Sequence, residues 1–329
     1  MNAYFPDRET MHTVLSLAIS APSVHNSQPW RWRVGTRSLH LYADPDRQLP
    51  AADPDGRDLL LSCGAALHHG VVALAALGWQ AKVHRFPNPA DPHHLAAVET
   101  SRQRATDLDI TLANAIPRRR TDRRHYSSLS VPAADIAVMG ARAARGGVML
   151  RRVESLPKLR KIVAQAVWQH ATDVDYLTEL TTWSGRYASL SGVPARNSPK
   201  SDPTAPLPAR LFAAPALAQP AETAVEDDAA VVLALGTKDD TPLARLRAGE
   251  ATSLLLLTAT AFGLAACPVT EPLEIPDTRD AVRRDVFGDS GFPQMLLRVG
   301  WAPLDADPLP RTPRRPLQDV VEWHAGADV

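Results

Sequence analysis

Cysteine is almost absent: Cys63 and Cys267 are the only two in 329 residues. Two such distant thiols cannot make the framework of a disulfide-stapled domain. Each sits in an apolar run, where cysteine packs as a small hydrophobe. That usage fits a reducing cytoplasm. Net charge is missing as well. Lys plus Arg number 36 and Asp plus Glu 36, so the overall balance draws the chain neither to nucleic acid nor to an anionic membrane. The N-terminal stretch MNAYFPDRET is polar and lacks the apolar core of a signal peptide. The longest apolar run, Leu254 to Ala266, is interrupted by Thr258, Thr260 and Gly263. It is too short to span a bilayer and reads as a buried helix. There is no CxxC, HExxH, GxSxG, GxGxxG or P-loop pattern. A phosphate-bearing cofactor must therefore be held some other way. His68-His69 and His93-His94 are adjacent pairs, which point to different helix faces and chelate a metal poorly. No metal ligand and no catalytic residue is assigned.

What is present is ordinary for a soluble globular protein: 45% apolar and 22% charged residues, with a length suited to about two domains. Met11, Val14, Leu15 and Ala18 have helical spacing, which predicts a helix over 10–21 ended by Pro22. Strands are expected at Trp30 to Val34 and Ser38 to Tyr42, a long helix at Asp58 to Leu77 and a strand at Trp79 to Phe86. A polar helical stretch follows near His93 to Arg104. A second series has a helix at Pro132 to Arg145, a strand at Val148 to Val153 and helix over Leu156 to Leu180, in one or two pieces. A strand at Ala229 to Leu235, a buried helix at Leu243 to Phe262 and a core strand at Gln294 to Val299 complete it.

The two series are related. Gly64 and Gly78 flank one apolar helix, and Gly249 and Gly263 flank the other, both pairs at an offset of 185. Equal spacing of this kind marks a degenerate internal duplication. The second copy carries about 62 extra residues between Glu154 and Ala229. Within them, residues 189–224 contain Pro194, Pro199, Pro203, Pro206, Pro208, Pro215 and Pro220. Long aperiodic stretches inside a domain are functional or disordered. With Leu207, Leu211, Phe212 and Leu217 aboard, this one reads as a lid-like loop over the surface, the alternative being a solvated linker.

Three segments are chemically suggestive. Between a helix and a strand, Ser23, His25, Asn26, Ser27 and Gln28 offer donors and acceptors that suit the edge of a planar heterocycle, or serve an ordinary connection. Arg118-Arg119-Arg120-Thr121-Asp122-Arg123-Arg124 suits a phosphate, because guanidinium binds it in bidentate fashion. A solvated charged loop is the bland alternative, and neutral charge without interleaved aromatics argues against nucleic acid. Arg311, Arg314 and Arg315 in the Pro-rich tail form a second candidate phosphate clamp. Cys267 to Pro272 follows the second buried helix, and its backbone and Glu271 suit a ligand.

Ala21-Pro22-Ser23 through Asn26, Gln28, Pro29 and Trp30 resembles the signature of the FMN-dependent nitroreductase superfamily. Arg119-Arg120-Thr121 with Arg123, Pro293 to Gly300 and Arg314-Arg315-Pro316-Leu317 are similar to further elements of it. The spacing, including Trp183-Ser184-Gly185-Arg186-Tyr187, is closest to the Acg-type nitroreductase-like proteins of mycobacteria. The resemblance covers nearly the whole chain. It implies an α+β, nitroreductase-like fold: a tandem duplication forming an internal pseudo-dimer, with antiparallel-type sheets flanked by helices. The halves would be 1–115, carrying the flavin-ring loop, and 116–329, carrying the phosphate-binding arginines and the insertion at about 189–224. It implies one FMN, its phosphate held by Arg119, Thr121, Arg123, Arg314 and Arg315, its ring or ribityl chain by Ser23, Asn26 and Gln28, and Thr270 and Glu271 near the reactive edge. NADPH or NADH would supply electrons and a nitroaromatic or quinone would accept them. A flavin-storage protein with a lidded site and little turnover is the other expectation. Partners would be small molecules only, without nucleic acid or membrane, and the chain a cytoplasmic monomer.

Overall fold

The computed structural model describes residues 5–185, 189–202, 205–219, 228–304 and 306–324. Arg186 and Tyr187 of the motif at 183–187, and Pro203 and Pro220 of the Pro-rich segment, lie outside the described residues.

Helix α1 (Arg8–Ala18) starts where the Asp7 carboxylate accepts from Thr10 N–H, and it buries the Met11, Val14, Leu15, Ala18 face. Strands β1 (Trp30–Val34) and β2 (Ser38–Ala43) pair antiparallel. Helix α2 (Arg57–Ala76) follows, its first amides at Asp58 and Leu59 donating to the Asp53 carboxylate at 2.9 and 2.8 Å. Strands β3 (Trp79–Arg85) and β4 (His94–Arg102) complete this half. The stretch near 93–104, expected to be helical, is therefore a strand. Its Ala and Glu content favours helix locally, but β4 lies between β2 and β3, hydrogen-bonds to both, and turns Leu95, Ala96 and Val98 into the core. Tertiary pairing outweighs local propensity here.

Helix α3 (Asp107–Ala115), with a Thr106–Asp109 capping box, leads into the second half. There α4 (Ala133–Arg145), β5 (Met149–Arg152), α5 (Leu156–Thr172) and α6 (Val174–Trp183) precede β6 (Val231–Thr237). Asp173 divides the expected long helix and caps its second piece, accepting from Asp175 and Tyr176 N–H. Then come α7 (Pro242–Ala261), β7 (Ala265–Pro268), the short α8 (Glu271–Glu274) and α9 (Pro276–Val282), and β8 (Phe292–Gly300). One sheet runs β5-β6-β8-β7, all antiparallel; the other runs β3-β4-β2-β1-β9. Its last member, β9 (Val321–Trp323), arrives from the C-terminus and lies parallel to β1, an exception to antiparallel pairing.

The two long helices α2 and α7 cross at their glycines. A Cβ on Gly64 would overlap the carbonyl oxygen of Leu246, and one on Gly249 would overlap that of Leu61. One turn on, His68 Nδ1 lies 2.8 Å from Ser253 Oγ, again at an offset of 185. Among the described residues α2 is the one helix long and apolar enough to cross a membrane, and 72% of its apolar window is buried inside the protein. It is a core helix.

Gly64→Ala should destabilise the protein by about 3 kcal/mol, the upper end for overpacking, read by urea unfolding. Gly140→Ala, whose new methyl would meet only a Leu150 methyl at 3.9 Å, should stabilise α4 by up to about 1 kcal/mol. Equal effects would show that the crossing tolerates a side chain.

Candidate functional site

Between α2, α7 and the second sheet there is a cleft of about 1180 Å³, its open mouth included. Leu61, Ala65, Val163, Leu207 and Met295 supply apolar walls, and Ser23, Ser62, Thr121 and Thr252 supply hydroxyls. Elements distant in sequence contribute: the 22–25 loop, α2, the arginine loop, α5, the Pro-rich segment, α7, β8 and the turn after β7.

The 23–28 loop is held in a conformation few side chains adopt. His25, Asn26 and Gln28 have φ of 45°, 55° and 54°, and non-glycine residues kept there store strain that surrounding bonds must hold. Those bonds are visible. Asn26 Nδ2 donates to Gly192 O and Pro313 O at 3.1 and 3.2 Å, and its Oδ1 accepts from Arg314 at 2.9 Å. Gln28 Nε2 donates to Leu190 O at 2.8 Å while its Oε1 accepts from Arg315 N–H at 2.8 Å. Arg314 donates further to the carbonyls of Ile19, Ser20 and Ala21. The Pro-rich segment, the loop and the C-terminal tail are thus sewn together.

Arg119 is 7% exposed, and its Nη1 donates to Thr121 Oγ1 at 3.5 Å. Its Nε has no partner. Burial first, then repulsion from Arg314, Arg120 and Arg123, pushes its pKa down to about 9. Arg123 lines the cleft, donates to Asn197 O at 3.2 Å and has its guanidinium 5.2 Å from the Phe212 ring centroid. Among the described residues neither has a carboxylate within ion-pair distance. The cleft wall at Thr121 and Arg123, with Arg119 behind it, thus carries cations without acidic partners, a place for an anion.

Other charges of the cleft wall are paired. Arg210, from the Pro-rich segment, reaches in to Glu274, to Thr270 Oγ1 at 3.2 Å and to His25 Nε2. Burial opposes its charge, but Glu274, Tyr176 and Glu271 outweigh it, and its pKa is raised. Burial, then Arg210 and Arg123, lowers the pKa of His25 well below the ordinary value. The imidazole is neutral, accepts at Nε2, and leaves Nδ1–H unpartnered. Glu271 accepts from His170 Nδ1 at 3.0 Å through Oε1, and its Oε2 is free. His170 stacks on Tyr176 with centroids 3.8 Å apart. Asp58 is also buried in the wall beside Arg57, burial raising its pKa.

Of the residues expected to bind, Ser23, Thr121, Arg123, Thr270 and Glu271 line the cleft, and Arg119 stands behind Thr121. Asn26, Gln28, Arg314 and Arg315 do not line it; they hold the loop and tail. Residues not anticipated are Asp58, Ser62, Arg298 and, above all, Arg210. Its signal in sequence is a lone cation in an apolar, Pro-rich run, Leu207 to Phe212. Cys63 and Cys267 are free and buried, and no cluster of metal-ligating side chains exists among the described residues.

No family model matches the chain. A candidate NAD(P)H nitroreductase of Mycobacterium tuberculosis is 65% identical over 323 residues, 98% of this chain and 94% of the relative. Another candidate NAD(P)H nitroreductase of M. tuberculosis, acg, is 36% identical over 330 residues, covering 96% of each chain. A solved FMN-bound nitroreductase from Desulfitobacterium hafniense overlaps 65% of this chain and 98% of its own, with 13% identity and a TM-score of 0.41, a likeness too slight to argue from.

Arg119→Met should stabilise the ligand-free protein by about 1 kcal/mol, because it removes an unpaired buried charge. It should also abolish the extra thermal stability that millimolar phosphate gives over chloride at equal ionic strength. A destabilised variant that still responds to phosphate would place the anion elsewhere.

Proposed function

The chain belongs to the nitroreductase family of these mycobacterial relatives, and from that premise we propose that it holds one FMN in the cleft and passes electrons through it. The unpaired arginines carry this reading. Thr121 and Arg123, which line the cleft, would take the phosphate, and Arg119, buried behind Thr121, would supply further positive charge to hold it. Ser23 and Ser62 would face the ring or ribityl chain between the apolar walls of Leu61, Ala65 and Met295. Thr270 and Glu271, also in the lining, would lie by the reactive edge. Asn26, Gln28, Arg314 and Arg315 then act indirectly, fixing the loop that presents Ser23. In this reading residues 1–115 give the ring loop and 116–329 the phosphate site, so one chain makes an internal pseudo-dimer with a single site.

Bound FMN supplies hydride and single-electron chemistry. The protein's share is positional. The apolar walls exclude water, the arginines neutralise the phosphate, and the Ser23 hydroxyl, fixed by accepting from Gln28 N–H, would donate where a reduced ring gathers charge. Glu271, tethered by His170 through Oε1, keeps Oε2 without a partner and so available to accept a hydrogen bond from a bound group. NADPH or NADH as donor, and a nitroaromatic or quinone as acceptor, complete the cycle.

One observation favours the second reading, a closed flavin store. Leu207 to Arg210 and Phe212 line the cleft, and Arg210 ties that segment to Glu274, Thr270 and His25. A lid fixed this way would keep nicotinamide off the ring. Anaerobic mixing of the FMN-loaded protein with NADPH and with NADH separates the two. An enzyme bleaches, and Arg210→Ala changes its rate less than about threefold. A store stays yellow until dithionite is added, and Arg210→Ala raises its bleaching rate by about tenfold or more, a change of about 1.4 kcal/mol in barrier. Protein left colourless after FMN addition and desalting contradicts both.

A further inference from the structure

Around the Arg210 guanidinium there are more acidic oxygens than one cation serves. Glu274 accepts through Oε1 from Arg210 and, at 2.7 Å, from the Thr270 hydroxyl, while its Oε2 is left over. Glu271 accepts from His170 Nδ1 at 3.0 Å through Oε1, and Oε2 is left over again. Asp58 Oδ1 accepts from Arg57 at 2.7 Å, and Oδ2 receives nothing. His25 Nδ1–H and the Tyr176 hydroxyl lack an acceptor. Among the described residues none of these five atoms has a partner, and every one of the side chains is at least nine-tenths buried. They form one neighbourhood: the Arg210 charge is felt at His25, Asp58 and Tyr176, and those of Glu271 and Glu274 are felt at Arg210. His25, Asp58 and Glu271 line the cleft. Among the described residues no group of acids and histidines is placed to hold a metal ion, so N–H donors are what these oxygens lack. The acids stand on α2 and α8, whereas Arg210 arrives on residues 207–212, which are neither helix nor strand.

Buried acceptors left without donors are unfavourable. A planar amidinium or guanidinium presents several N–H groups in one plane and bonds two carboxylate oxygens at once. Arg210 serves Glu274 alone among the three acids, so the pocket holds more acceptor than its resident cation uses. We propose that this acidic part of the cleft is a subsite for an organic cation, an amidinium, guanidinium or primary amine carried on a flat apolar body, and that Arg210 occupies it as a stand-in until such a ligand displaces it. Glu271 and Glu274 take the cation's N–H groups, Asp58 adds negative charge, and the neutral His25 accepts at Nε2 as it does from Arg210. Leu61, Ala65, Val163, Leu207 and Met295 supply walls for the apolar body. The proposal rests on the flavin reading in one respect: with Glu271 by the reactive edge, the molecule that meets the ring is the one that carries the cation.

The test is calorimetric titration of the full-length, FMN-loaded protein at fixed ionic strength with three probes: benzamidine, its neutral counterpart benzamide, and phenyltrimethylammonium, a cation without N–H. Benzamidine is expected to bind the wild type at least about tenfold more tightly than either other probe. Glu271→Gln should remove most of that preference. Arg210→Ala should raise benzamidine affinity by about tenfold or more, because the competing guanidinium is gone. Equal affinity for benzamidine and benzamide overturns the proposal, as does a preference that Glu271→Gln leaves intact. Phenyltrimethylammonium binding as tightly as benzamidine overturns it too, since charge alone would then attract the cation. A wild type that does not bind benzamidine, or a folded Arg210→Ala with unchanged affinity, marks Arg210 as a permanent ion pair and has the same consequence. If Arg210→Ala does not fold, the wild-type and Glu271→Gln titrations decide. Flavin absorbance keeps the two readings apart. Protein that cannot be loaded with FMN sinks the flavin reading, and the same titrations on the unloaded protein still decide the subsite.

Discussion

The backbone contact between α2 and α7 at Gly64 and Gly249 is the constraint from which the rest follows. Each glycine faces a carbonyl of the opposite helix, so no side chain fits at either position. Close approach of two apolar helices sets the distance between the two sheets. It also brings Asp58, Leu61, Ser62 and Ala65 of α2 near Thr252 of α7, forming one wall of the cleft. A wider crossing would pull these side chains away from the arginine loop and from the turn after β7. His68 and Ser253, bonded across the same crossing, continue the contact with polar groups in an otherwise apolar seam.

A second constraint acts on the loop at 23–28. Left-handed backbone at His25, Asn26 and Gln28 is unfavourable for such residues, by about 1–3 kcal/mol each. Asn26, Gln28 and Arg314 make the bonds that hold it, and they tie three remote segments together. Strain of this kind fixes where Ser23 and His25 point. Beside it lies an electrostatic imbalance: Arg119 and Arg123 have no acid partner among the described residues, whereas Arg210 is bound to Glu274.

Much of the fold was legible because long helices announce themselves by spacing and by caps. Met11, Val14, Leu15 and Ala18 gave α1, and the glycines at a 185-residue offset pointed to the two helices that cross. The strand β4 was not legible, since Ala96, Ala97 and Glu99 favour helix locally and only their neighbours on both sides make them a strand. In the site, residue type was legible and direction was not. Arg314 and Arg123 look alike in sequence; one spends its donors on carbonyls and the other faces the cleft. Arg210 was missed because its partners His25 and Glu274 are 185 and 64 residues away, and no local pattern encodes such contacts.

The central claim is that one chain builds one flavin site from both of its halves. A crystal structure of the FMN complex tests it most directly. The predicted result is a single FMN per chain, its phosphate against Thr121 and Arg123 with Arg119 behind, and its ring beside Ser23 of the same chain. A ring loop donated by a second copy, or a phosphate bound by Arg314 and Arg315 away from Arg119, would contradict it.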